Sequence, residues 1–79
     1  MIEPISVFIV HWNRPESCRR SVEAFLSQGF PVRIVILDNG SEPANLSYLY
    51  VLIDNRAVIR ELGRNMGFGG ALNVALKDW

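Results

Sequence analysis

The chain has 79 residues, enough for one small domain, and its 49% hydrophobic and 20% charged composition excludes a disordered polypeptide. Eight Lys and Arg side chains balance eight Asp and Glu side chains, so the zero net charge argues against a nucleic-acid-binding arm and a polybasic membrane tether. One Cys and one His exclude an internal disulfide and a Cys-rich zinc site.

The first part of the chain predicts a strand, a helix and a second strand. Residues 5–10 are β-branched and aromatic without alternation, which is typical of a parallel strand buried on both faces. Pro15 fits the first position of a helix, and Gly29 fits its carboxyl-terminal cap. Residues 32–37 form the second β run. The apolar stripe expected on the helix consists of Val22, Phe25 and Leu26.

The second part of the chain repeats this alternation. Pro43 fits the start of a second helix, although residues 48–53 also have strand propensity. Residues 57–59 predict a third short strand, residues 63–70 a glycine-rich loop, and residues 71–79 the start of another helix. The helical spacing in the second helix is carried by Leu46, Leu49, Tyr50 and Ile53.

The order β-α-β-α-β-α predicts an α/β fold, a Rossmann-like three-stranded parallel sheet with right-handed crossovers. Three strands make half of a doubly wound domain, so we expect residues 1–79 to be one truncated half-domain of a longer protein. An apolar first strand at an open edge predicts that the isolated chain forms a homo-oligomer.

Targeting features are weak in this sequence. The apolar run at residues 5–10 is short and follows Glu3 and Pro4, whereas a signal peptide has a basic start and a longer apolar region. No stretch approaches the roughly 20 apolar residues of a spanning helix. We expect a cytoplasmic chain without a membrane segment, with membrane association only through parts outside it.

Three polar clusters follow the predicted strands, at residues 11–14, 38–41 and 63–73. In open parallel sheets, ligands bind beyond the carboxyl ends of the strands, so the clusters together predict a ligand site. Asp38 can accept from a nucleobase N–H or a ribose hydroxyl, or it can cap the strand end in an Asx-turn. Arg14 can face a diphosphate or lie in solvent, and His11 can contact a ligand or serve a structural role.

Two common phosphate motifs are excluded. The glycines at residues 67–70 are similar to a dinucleotide fingerprint, but they follow the third strand, and Leu72 stands where the third glycine belongs. The chain has no Gly-Lys-Ser or Gly-Lys-Thr string of a phosphate loop. Cys18 has no nearby acid–base partner in sequence, so we interpret it as a small packed residue.

Taken together, the three clusters resemble glycosyltransferase family 2, which has the GT-A fold. The family's Thr-Tyr-Asn-Arg-like turn corresponds to His-Trp-Asn-Arg-Pro at residues 11–15, and its Asp-Asn-Gly-Ser string to residues 38–41. A later Asn-x-Gly-Phe-x-Gly-Gly string is matched by residues 65–70, followed by Asn73. The residues of these motifs are most similar to those of the rhamnosyl- or galactosyl-transferring branches of the family, which build bacterial polysaccharides.

This resemblance implies the N-terminal part of an inverting glycosyltransferase that binds a UDP-, dTDP- or GDP-sugar. It implies that Asp38 meets the base, that residues 11–14 line the nucleotide pocket, and that residues 67–73 lie beside the diphosphate. The nucleotide-sugar contacts expected on this basis are His11, Asn13, Arg14, Asp38, Asn39, Gly40, Asn65, Gly67, Gly69, Gly70 and Asn73.

The departures from the family pattern limit what this chain can do. The family's metal-binding Asp-x-Asp motif follows a fourth strand, its catalytic base lies further on, and the chain has no Asp-x-Asp string. We therefore expect no catalytic residue and no cofactor in this chain, with Mg or Mn bound only by the longer parent, and no transfer by the chain alone. The alternative is a stand-alone nucleotide-binding or assembly module. A nucleotidyltransferase normally has a glycine-rich basic loop after its first strand, and residues 11–14 contain no glycine.

Overall fold

The computed structural model describes residues 3–77 of the chain. Its three strands form one parallel sheet in the order β1-β2-β3, which confirms the predicted Rossmann-like α/β class. None of the helices in this range has the length and hydropathy that a membrane-spanning segment requires. The elements are β1 (Ile5–His11), α1 (Pro15–Leu26), β2 (Val32–Asp38), α2 (Pro43–Ile53), β3 (Val58–Glu61) and α3 (Gly67–Lys77).

The sheet register places the last residues of the strands next to one another. Strands β1 and β2 run in phase from the pair Ile5–Val32 to the pair His11–Asp38. Strand β3 is shorter and pairs only with residues 35–38 of β2, so that Glu61 lies opposite Asp38. The three loops that follow the strands therefore begin at one edge of the sheet.

The core lies between the sheet and the layer formed by α1 and α2, which contact each other and cover one face. Leu37 points to the opposite face, because side chains alternate along a strand, and it is fully buried. Helix α3 packs against β1. The buried residues of the main core are Cys18, Val22, Ile34, Ile36, Leu49 and Ile53.

The predicted apolar stripe of α1 is wrong at two of its three positions. Val22 is fully buried, whereas Phe25 and Leu26 are 37% and 43% exposed. These two residues lie in the last turn of α1. The buried side of the helix is instead completed by Cys18 and Pro15, one and two turns before Val22.

The boundaries of the later elements also differ from the expectation. Residues 43–53 are helical, which resolves the choice between helix and strand, and the third strand covers residues 58–61 instead of 57–59. The glycines at residues 67–70 form the first turn of α3, not a loop. Asn65 Oδ1 accepts a hydrogen bond from the Gly67 N–H at 2.8 Å, and this local bond supports the helix start despite the poor helix propensity of glycine. The predicted continuation to residue 79 lies outside the described residues.

Candidate functional site

A buried imidazole–carboxylate pair joins the ends of β1 and β2. His11 Nδ1 lies 2.8 Å from Asp38 Oδ1, and both residues are 2% exposed. The backbone N–H of Arg14 donates to His11 Nε2 at 3.0 Å. Because Nε2 is an acceptor, the hydrogen of the neutral imidazole resides on Nδ1 and is donated to Asp38.

Both oxygens of Asp38 take part in hydrogen bonds within the protein. While Oδ1 accepts from His11, Oδ2 accepts from the backbone N–H of Ser41 at 3.2 Å, which is the strand-capping arrangement of an Asx-type turn. Burial, together with the nearby charge of Asp38, raises the pKa of the Cys18 thiol to about 11. Cys18 is therefore an uncharged packed residue, as the sequence predicts, and the carboxylate of Asp38 is directed into the protein.

Asn13 connects the turn at residues 11–14, which follows β1, to the loop that follows β2. Its backbone N–H donates to Ser41 Oγ at 2.8 Å, and its Oδ1 accepts from the Glu42 N–H at 2.7 Å and from Asn45 Nδ2 at 3.0 Å. Asn13 has a φ of 53°, in the left-handed region that Asn adopts more readily than most residues. The turn at residues 11–14 is thus held in a defined shape by groups at the start of α2.

Asn39 makes the corresponding connection from the second loop to the third. Its Oδ1 accepts from the Met66 N–H at 2.8 Å, and its Nδ2 donates to Gly67 O at 3.3 Å and to Asn65 Oδ1 at 3.4 Å. The backbone N–H of Asn39 donates to His11 O at 2.8 Å. The buried Asn39 side chain therefore holds residues 65–67, which lead into α3, in place.

Gly40 lies at a close contact between the backbones of the second and third loops. Its φ is +80°, and a Cβ atom there would be 2.5 Å from the carbonyl carbon of Arg64 and 2.6 Å from Asn65 N. Both the positive φ and the close approach require glycine at this position.

The structure brings most of the expected contact residues together but separates three of them. Gly69 and Gly70 lie within the first turn of α3, and Asn73 lines a separate pocket on that helix, beside Val74 and Lys77. The residues brought to the sheet edge are His11, Asn13, Arg14, Asp38, Asn39, Gly40, Asn65 and Gly67.

A pocket of about 350 Å³ opens beside the turn at residues 11–14, between β1 and α1. Trp12 and Arg14 line it from the turn, and the Trp12 side chain is 53% exposed. The pocket therefore combines an aromatic surface with a guanidinium group and with hydroxyl groups from α1. Its lining residues are Ile9, Val10, His11, Trp12, Arg14, Ser17, Cys18 and Ser21.

The described residues do not supply a set of metal ligands. Within residues 3–77, no three His, Cys, Asp or Glu side chains lie close enough together to hold an ion. The polar atoms of His11 and Asp38 already bind each other and the backbone.

Sequence reasoning missed two contributions to this site. Ser41 was not among the expected contacts, yet its hydroxyl joins Asn13 to the His11 pair. Trp12 was included in the lining turn but not among the contacts. The signal for Trp12 was its place between two polar residues, because a large aromatic side chain in a turn has no core to enter.

Comparisons with known proteins identify a family that matches this chain. The model of the family described as Glycosyl transferase family 2 matches residues 6–79, almost the whole chain. No curated protein and no solved structure matches the chain.

Proposed function

The chain belongs to glycosyl transferase family 2, and we propose that it binds the nucleotide part of a nucleotide diphosphate sugar. The observation that carries this proposal is the hydrogen-bonded edge where the three loops meet, with an open pocket of about 350 Å³ beside it. Ligands of open parallel sheets bind at this edge. The candidate nucleotides are UDP, dTDP and GDP.

Trp12 and Arg14 are the side chains best placed to contact a nucleotide in this pocket. The half-exposed indole of Trp12 offers a flat surface on which a base can stack. The Arg14 side chain is exposed, and a guanidinium group can bind phosphate oxygens in a bidentate manner. Ser17 and Ser21 line the same pocket and offer hydroxyl groups to a ribose.

Asp38 remains a proposed contact to a base N–H, because each of its carboxylate oxygens can accept a second hydrogen bond. Its 2% exposure means that a base reaches it only when the turn at Ser41 moves aside. Without this movement, Asp38 acts through His11, whose other nitrogen binds the backbone of Arg14. Both routes connect the end of β2 to the proposed nucleotide pocket.

We further propose that the chain is the donor-binding part of an inverting glycosyltransferase. Transfer needs a base for the acceptor hydroxyl and positive charge beside the departing diphosphate. The described residues bring no carboxylate into the pocket, and Arg14 is the cation that lines it. The isolated chain is therefore expected to bind nucleotide without transferring sugar, which is also the behaviour of a stand-alone binding module.

Calorimetric titration of the chain with UDP, dTDP, GDP and their sugars tests this proposal. Trp12→Ala and Arg14→Ala should each weaken binding about tenfold, which corresponds to about 1.4 kcal/mol. Phe30→Ala and Arg33→Ala are matched controls, because Phe30 is 47% exposed and both residues lie at the opposite end of the sheet. Absence of nucleotide binding, or equal losses in all four variants, would contradict the proposal.

A further inference from the structure

The sequence contains one Asn–Gly pair, at Asn39 and Gly40. In water, the side-chain amide of an Asn that precedes Gly is chemically labile, because the glycine nitrogen is unhindered and can attack the side-chain carbonyl carbon. The other Asn residues of this chain precede larger residues, which hinder that attack. Whether this reaction occurs therefore depends on whether the fold allows the Gly40 nitrogen to reach the Asn39 side-chain carbonyl carbon.

The fold restrains both partners of this reaction. The Asn39 amide is bound at both ends, because Oδ1 accepts from the Met66 N–H and Nδ2 donates to Gly67 O. Asn39 is 3% exposed, so little water reaches it. Gly40 lies against the backbone of Arg64, where a Cβ atom would be 2.5 Å from the carbonyl carbon, so this contact restricts the backbone rotation that attack by its nitrogen requires.

We propose that Asn39 is a hydrolytic modification site that is closed in the folded chain and opens when residues 63–67 leave Gly40. Water accepts the proton of the Gly40 N–H as the nitrogen bonds to Asn39 Cγ, water returns a proton to Nδ2, and the Cγ–Nδ2 bond breaks to release ammonia. Water then adds to either carbonyl carbon of the resulting succinimide and opens the ring. The products are aspartate, or isoaspartate with the main chain routed through the former side chain.

Either product weakens the connection between the second and third loops. A carboxylate has no N–H to donate, so its oxygen faces Gly67 O and Asn65 Oδ1, which are both acceptors. Isoaspartate also adds a main-chain methylene group immediately before Gly40, at the close backbone contact. If Asn39 is converted while residues 63–67 are displaced, the product therefore hinders their return to Gly40.

The variant Gln28→Asn provides a matched comparison within one molecule. It creates a second Asn–Gly pair before Gly29, whose φ of +86° resembles the +80° of Gly40. Residues 28 and 29 are exposed, and a Cβ atom at Gly29 would meet nothing within 4 Å. The two pairs thus differ mainly in burial and hydrogen bonding.

Peptide mapping by mass spectrometry measures the conversion at both pairs in buffer and in denaturant. In buffer, conversion at position 39 should be at least about tenfold slower than at position 28, which corresponds to an opening free energy of about 1.4 kcal/mol. In denaturant the two rates should be equal. Equal rates in the folded chain would overturn the proposal.

Two further measurements do not depend on the folding of that variant. The wild-type chain should convert at Asn39 at least about tenfold faster in denaturant than in buffer. Asn65→Ala, which removes the Oδ1 acceptor of the bonds from Asn39 Nδ2 and the Gly67 N–H, should accelerate conversion in buffer. An Asn65→Ala rate equal to that of the wild type would show that opening of this loop does not control the reaction.

Discussion

Replacement of His11 by Ala should strongly destabilise the chain, because it leaves the buried carboxylate of Asp38 without the hydrogen-bond donor of its Oδ1 atom. The 2.8 Å bond to Asp38 is lost, and so is the acceptor for the Arg14 N–H. Removing one member of a buried ionic pair typically costs about 3–5 kcal/mol. Because the hydrogen bonds of His11 fit a neutral imidazole, the lower end, about 3 kcal/mol, is expected. A chain of this length has a total stability of only about 4–12 kcal/mol.

Urea unfolding monitored by circular dichroism provides the assay, with His11→Ala, Asp38→Ala and the double variant forming a thermodynamic cycle. The single variants also remove volume from the core, and the cycle separates this loss from the interaction. We expect a coupling energy of at least about 1.5 kcal/mol, the lower value for a hydrogen bond to a charged group. Asn55→Ala, at an exposed position of the turn before β3, is the control and should change stability by less than about 0.5 kcal/mol. A coupling energy below about 0.5 kcal/mol would refute the reasoning.

Four other outcomes follow from the structure. Asp38→Asn should lower nucleotide affinity about tenfold in calorimetry if the carboxylate recognises the base, and unchanged affinity would leave Asp38 a turn residue. Gly40→Ala should lower stability in urea unfolding by more than about 2 kcal/mol, because a Cβ overlaps the neighbouring backbone, whereas Gly29→Ala meets open space and carries only the positive-φ penalty of about 1–2 kcal/mol. The hydrogen bond from Tyr48, followed by that from Arg19, lowers the pKa of Glu16, so Glu16 stabilises the fold above its unfolded pKa and loses this effect as pH falls through its folded pKa. Glu16→Gln should therefore lower the melting temperature at pH 7 but not in strong acid, and an equal loss at both pH values would contradict this. Sedimentation should show a dimer or larger oligomer of the isolated chain, and a monomer at high micromolar concentration would oppose it.

The order of strands and helices could be predicted because each element carries its own signal in sequence. Pro15 and Pro43 both stand at the first position of a helix, as predicted. The first turn of α3 could not be predicted from propensity, because glycines at residues 67–70 favour a loop and only the hydrogen bond from Gly67 to Asn65 reveals the helix start. Local propensity does not include such bonds.

The meeting of the three loops at one edge could also be predicted, since parallel strands end on the same side. The partnership of His11 with Asp38 could not be read from neighbouring residues, because the two lie 27 positions apart. It does follow from the register, as both residues end strands of seven residues that run in phase. The inward direction of Asp38 depends on Ser41 and His11 together, and this combination is a property of the folded chain.

The short third strand gives the sheet two unequal ends. Strand β3 supports only residues 35–38 of β2, at the end where Asn13, Asn39 and Asp38 connect the loops. At the other end, Ile5 and Phe30 are about half exposed. Amide hydrogens there should exchange with solvent earlier than those near Asp38, since local opening begins where buried contacts are few. The edge proposed to bind nucleotide would thus retain its geometry while the opposite end frays.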